Sequence, residues 1–156
     1  MKTTLMAQGK SIQELKIGDT AQISKTITET AVNDFARVIG DFNPIHIDQA
    51  YAEKTPFKGR IAHGALSIGL FSSVLGNILP GHGTIYLSHE IRFLAPVRIG
   101  DTITVRVEVV EVLSDKNRVK FRTTCVNQDG KEVVDGMAWV MPPRSQSTPS
   151  ADEEMR

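Results

Sequence analysis

GALSIGLFSSVLGNIL, residues 64–79, runs without a single Asp, Glu, Lys or Arg. Leu, Ile, Phe and Val recur on every side of a 3.6-residue wheel, broken only by small residues, serines and one asparagine. A helix this uniformly apolar has to be buried over most of its surface. It is too short to cross a bilayer, so the rest of the chain has to cover it. Pro80 and Gly81 end it.

The cover is written on either side. After Pro80 the period switches to two: Ile85, Leu87, His89, Ile91 and Phe93 alternate with Tyr86, Ser88, Glu90 and Arg92. Ile103, Val105, Val107 and Val109 repeat the pattern over 102–110, and further strands are expected over 118–127 and 131–141. Asp129-Gly130 between the last two is a tight hairpin signal. Upstream, 21–28 is β-like. Thr28 then caps a helix over 29–39, with Val32, Phe35, Ala36 and Ile39 on one face and Gly40 as its stop. Asp48 caps a short helical turn through Ala50, Tyr51 and Ala52. KIGDT at 16–20 and RIGDT at 98–102 predict two copies of one Gly-Asp turn, each leading into a strand. One oily helix and long antiparallel strands with one oily face give an α+β domain, the sheet wrapped round the helix.

The totals bound the function. A chain of 156 residues suits one domain. Lys+Arg and Asp+Glu both number 18, a balance that offers a polyanion no long-range attraction and argues against nucleic acid as partner. Cys125 is the single cysteine, so no intrachain disulfide forms. It sits in the alternation Val119, Phe121, Thr123, Cys125 and reads as a packing thiol, not a nucleophile. With no charged-then-apolar leader and no membrane span, a cytoplasmic location is expected. Residues 1–14 read as a flexible segment and 15–141 as the domain. Residues 142–156, PPRSQSTPSADEEMR, read as a disordered tail.

Two loops carry the chemistry, GDFNPIHID at 40–48 and GRIAHG at 59–64. Pro44 holds Asn43 out of helical geometry, so Asp41 and His46 can fold towards one point. A carboxylate and an imidazole on one water form an acid–base pair, and Asn43 offers both a donor and an acceptor. The alternative is a plain Asx turn, with Asp41 and Asn43 bonding the local backbone. A metal site of His46, Asp48 and His63 follows no familiar ligand spacing, and no metal is expected. His63-Gly64 opens the apolar helix, where unpaired N–H groups meet the positive end of the helix dipole. His63 itself reads as a core or capping residue before a catalytic one. His82 and His89 read as a turn and a strand residue without partners.

These residues, with the run PGHGTIYLSHEIRFLAPVRIGD at 80–101 and VVDGMAWVM at 133–141, resemble the (R)-specific enoyl-CoA hydratases of the MaoC-like hot-dog family. The resemblance covers roughly 15–141. It implies the hot-dog fold, a central helix wrapped by an antiparallel sheet, and a homodimer. It also implies hydration of trans-2-enoyl-CoA with no cofactor beyond the coenzyme A of the substrate. Catalytic roles carry over to Asp41 and His46, which activate water, to Asn43, which assists, and to Gly64, whose N–H meets the thioester oxygen. Ser67 and His63 are implied near the substrate. Ala65 stands where the family usually has methionine, which bears on acyl-pocket shape. Lys54, Lys58, Arg60, Arg92 and Arg98 are candidates for the coenzyme A phosphates. An acyl-CoA thioesterase and a non-enzymatic acyl-CoA-binding module are the competing readings. The apolar helix lacks the acid that many hot-dog thioesterases place there.

Overall fold

A computed structural model describes residues 7–145. Along the chain run β1 (Thr20–Thr26), α1 (Glu29–Ile39), α2 (Pro44–Ile47), α3 (Gln49–Ala52), α4 (Gly64–Asn77), β2 (Ile85–Phe93), β3 (Thr102–Leu113), β4 (Arg118–Val126) and β5 (Glu132–Met141). The strands form one antiparallel sheet in the order β1-β3-β4-β5-β2. Ile103, Val105, Val107 and Val109 of β3 are buried, as are Val119, Phe121 and Cys125 of β4. They meet Phe71, Val74 and Leu75 of α4 in one core. Burial pushes the Cys125 thiol up to about 12, which leaves it an inert packing group. Among the described residues no helix is long and apolar enough to cross a membrane.

The paired motifs are the same turn twice. The Lys16 and Arg98 amides donate to Oδ2 of Asp19 and Asp101 at 2.9 and 2.8 Å. Gly18 and Gly100 supply the left-handed backbone, at φ +93° and +96°. Each turn grips the strand next to its own. Gly18 N–H donates to Val109 O and Asp19 O accepts from Val109 N–H, while Gly100 N–H and Asp101 O make the matching pair with Ile27. The β1–β3 ladder is thus closed at both ends.

Thr28 caps α1 as expected, its Oγ1 accepting from Ala31 N at 3.1 Å. Val32 and Ala36 are buried, but Ile39 at the end of the stripe stays exposed. The larger departure concerns α4. Its buried residues are Ser67, Phe71, Val74 and Leu75, whereas Ala65, Gly69 and Ser72 lie open on the far face. The sheet covers one side of this helix only, because a single five-stranded layer curls round half a cylinder.

β2 also departs from strict alternation. Its register against β5 slips between Tyr86 and Ser88, a bulge that turns Tyr86 inward and leaves Ile85 and Leu87 exposed with Phe93. His89, which reads from sequence as unpartnered, is held at both nitrogens. The Tyr86 hydroxyl is hydrogen-bonded to Nδ1, and Nε2 meets Thr123 Oγ1 at 2.7 Å. Burial pushes the Tyr86 hydroxyl up to about 12 and His89 down from its ordinary value. The ring reaches Thr123 across β5 because Ala138 and Gly136, which pair with His89 and Thr123, are small. His82 Nδ1 likewise finds a partner, Ala7 O at 3.1 Å.

The ends are tighter than their composition suggests. Gly9 and Lys10 amides donate to His82 O and Pro80 O, and Ile12 and Leu15 are buried around a 3-10 turn at Ile12–Glu14. Pro142 accepts from buried Asn117. The rest of the expected tail, from residue 146, lies outside the described residues, as do residues 1–6.

A methyl group at Gly136 would overlap Glu90 O and press on Ile91 Cα and Thr123 Oγ1. Gly136→Ala should therefore cost about 1–3 kcal/mol. Urea unfolding should show a lower midpoint at unchanged slope.

Candidate active site

The loop after α1 is a turn and a functional constellation together. Asp41 Oδ1 accepts from Asn43 N at 3.0 Å, and Asn43 Oδ1 accepts from Ile45 N at 3.3 Å, which caps α2 with Pro44 at its first position. Asn43 is spent on that cap and does not line the cavity described below. Asp41 keeps Oδ2 free, and this oxygen lies 4.0 Å from Nε2 of His46.

The segment 61–63 holds the loop in place. Ile61 N donates to Ile45 O at 3.2 Å, and Ile61 O takes the proton of His46 Nδ1 at 2.7 Å. His63 Nε2 donates to Asp41 O at 3.0 Å. A carbonyl can only accept, so both histidines carry their proton on the bonded nitrogen. His46 is left with a basic lone pair on Nε2, facing Asp41. The rings stack at 3.9 Å between centroids, and Phe35 meets His63 edge-on at 5.1 Å. Burial is the largest influence on His46 and lowers it below its ordinary value, helped by His63; the Ile61 carbonyl and Asp41 pull the other way. The base is therefore neutral at pH 7.

Gly64 begins α4, and no side chain caps that helix. Among the described residues the Gly64 and Ala65 amides have no hydrogen-bond partner, so the helix mouth offers open donors. A cavity of about 400 Å³ opens there. His46, His63, Gly64 and Ser67 form one wall; Phe57, Ile61, Ala62, Val134 and the run Phe93 to Val97 form the rest. The Phe93 ring lies so close to Gly64 that any Cβ there would overlap it.

The sequence placed Asp41, His46, Gly64, His63 and Ser67 together; the structure sets His46, His63, Gly64 and Ser67 in the cavity wall and Asp41 beside His46, outside that wall. Ala65 is exposed on the uncovered face of α4 and is not part of the cavity wall. Phe57 and the Phe93–Val97 wall were missed. Their one signal was Pro96, which breaks the alternation after β2. Arg60 is not a phosphate-binding surface charge. It is buried, with Nε on His46 O at 2.6 Å, Nη1 on Glu29 at 2.7 Å and Nη2 on Asn33 at 2.8 Å. Lys54, Lys58, Arg92 and Arg98 are exposed.

Asp48 leaves the supposed metal set to cap α3 through Tyr51 N. Asp41, His46 and His63 do place one donor atom each within 4.8 Å of one another. No fourth His, Cys, Asp or Glu joins them among the described residues, which leaves the group short of a closed tetrahedral set.

A family model described as MaoC like domain matches residues 14–134. The chain is 48% identical over 131 residues to an (R)-specific enoyl-CoA hydratase of Rhodospirillum rubrum, covering 84% of this chain and 90% of that one. It is 43% identical to a 3-hydroxybutyryl-CoA dehydratase of Methylorubrum extorquens, covering 86% and 85%. The solved (R)-hydratase of Aeromonas caviae involved in PHA biosynthesis superimposes with a TM-score of 0.82 at 41% identity, covering 84% and 99%.

His46 and His89 are both lowered in the folded state, so the unfolded chain binds more protons just below their ordinary value of 6.5. Stability should then rise with pH through that window and fall on acidification from about 7.5 to 5.5. Urea unfolding at stepped pH measures this, and His46→Gln should flatten the slope. A stability independent of pH there would contradict both shifts.

Proposed function

The chain belongs to the MaoC-like domain family, and on that premise we propose that it adds water to trans-2-enoyl-CoA to give (R)-3-hydroxyacyl-CoA, with Asp41 and His46 as the water-activating pair. It is a hydro-lyase, and the reaction is reversible. The observation that carries the pair is the 4.0 Å gap between two acceptors, Asp41 Oδ2 and His46 Nε2, at the edge of an apolar cavity. One water can donate to both across that distance, which leaves its lone pair for carbon.

As the water oxygen bonds to C3, its O–H breaks and the proton passes to His46 Nε2. The C2=C3 electrons move to the thioester, whose oxygen becomes an enolate against the Gly64 N–H at the positive end of α4. The enolate collapses as C2 takes a proton from the same pair. Both additions come from one face, so the addition is syn. The imidazolium formed midway is stabilised by the Asp41 carboxylate beside it. The thioester already makes C3 electrophilic, so the step needs no metal or redox cofactor.

The chain is further proposed to act as a homodimer. Ala65, Gly69 and Ser72 leave α4 open on one face. The edge strand β2 exposes Ile85, Leu87 and Phe93, with Leu94 beside it. Apolar surface of this extent on a sheet edge calls for a partner. Thioester hydrolysis is the weaker reading, since Gly64–Asn77 holds no acid.

Asp41→Asn and His46→Gln should each lower kcat/KM for crotonyl-CoA by about 10²–10⁴-fold with the fold intact. Chiral analysis of the wild-type product should give the (R) alcohol. An (S) product, or release of free thiol faster than loss of the enoyl absorbance, would overturn the assignment. Sedimentation equilibrium should return twice the chain mass.

A further inference from the structure

We infer that His63 is a positioning residue of the hydration site: its ring ties the Asp41 loop to the mouth of α4 and fixes the direction of the His46 lone pair. The inference rests on the hydratase reading and extends it to a residue outside the Asp41–His46 pair.

Three observations carry it. His63 sits at the N-cap of α4 yet makes no side-chain cap. Ser, Thr, Asp or Asn would serve a helix better there. The ring instead turns back to donate to Asp41 O at 3.0 Å, a side-chain hydrogen bond between the loop and this end of α4. Next, it lies flat on His46 at 3.9 Å, which prevents that ring from rotating off its bond to Ile61 O. Finally, His63 is 3% exposed, and its Nδ1 is buried without a hydrogen-bond partner. A buried acceptor left unpaired costs stability. An aromatic hydrocarbon would fill the same place without that cost, so packing alone does not account for a histidine.

The groups facing the His46 ring follow from the same geometry. Asp41 approaches Nε2 from the loop, and His63 covers one ring face from the start of α4. Arg60 approaches only the main-chain oxygen of His46 and is itself paired with Glu29 of α1. Removing the His63 ring therefore takes away an influence that lowers His46 and leaves Asp41, which raises it. The acid limb of activity, set by neutral His46, should move to higher pH.

The test uses the full chain. His63→Phe keeps a flat ring and deletes the donor; His63→Gln restores an amide donor at the position of Nε2. His63→Phe should keep the wild-type urea midpoint or exceed it while kcat for crotonyl-CoA falls about 10²-fold. His63→Gln should recover most of that loss. In both variants the NMR titration of His46, assigned with His46→Gln, should shift upward, and the acid limb of kcat/KM should follow. Loss of activity in step with the urea midpoint in both variants would overturn the inference and leave His63 a packing residue. So would wild-type kcat, or an unmoved His46 titration. A wild-type protein that leaves crotonyl-CoA untouched would instead sink the hydratase reading, and the His46 titration would still decide whether His63 acts on it.

Discussion

An uncharged helix cannot stand in water, and that constraint arranges everything else. α4 has to be covered, and the antiparallel sheet covers it by curling round one side, with β3 and β4 supplying branched and aromatic side chains against Phe71, Val74 and Leu75. A buried helix has its ends fixed by whatever packs there. At the C-terminal end Leu79 turns into the core. The N-terminal end is left uncapped and faces a cavity, which keeps its amides free for a ligand. The site lies at that end, where the Gly64 and Ala65 amides are left unspent.

The electrostatics of that corner follow from two main-chain carbonyls. Ile61 O and Asp41 O each accept from one imidazole N–H, which orients both stacked rings. Burial, with His63 beside it, lowers His46 below its ordinary value against the pull of the Ile61 carbonyl and Asp41. A neutral base beside a half-exposed carboxylate is a poor ion pair but a good cradle for water. The arrangement is kept at the expense of two local satisfactions, an uncapped helix and an orphaned Nδ1. Sites that break local rules are expected where function, not stability, selects the residue.

How much of this was legible in the sequence depends on how local each feature is. Thr28 and Gly40 bounded α1, Asp48 capped α3, and the twin Gly-Asp turns formed as read, because each is decided within four or five residues. Asp41 and His46 could be paired because Pro44 restricts the few residues between them. The bulge at Leu87 was invisible, since it depends on how β2 registers against β5, as in the pairing of Ser88 with Trp139 far along the chain. So was the fate of Arg60, whose partners come from α1 and α2. His89 looked idle because its partner Thr123 lies two strands away. The burial expected over most of α4 stops at Ala65, Gly69 and Ser72 for a related reason: one chain holds sheet enough for only one side of the helix.

That missing cover bears on the site itself. Phe93 and Leu94 are more than half exposed, and both also line the cavity beside Gly64. They belong to the edge of the sheet, the part most in need of a partner. A second copy packed along β2 would cover the very side chains that form the far wall, and the cavity would narrow from an open cleft to a tunnel. Desolvation of the Asp41–His46 gap would deepen in the same step, because low dielectric reaches the water only when that wall is closed. In the proposed dimer, assembly and catalysis would be one requirement: the surface left apolar for want of sheet would be the surface covered before the water reacts.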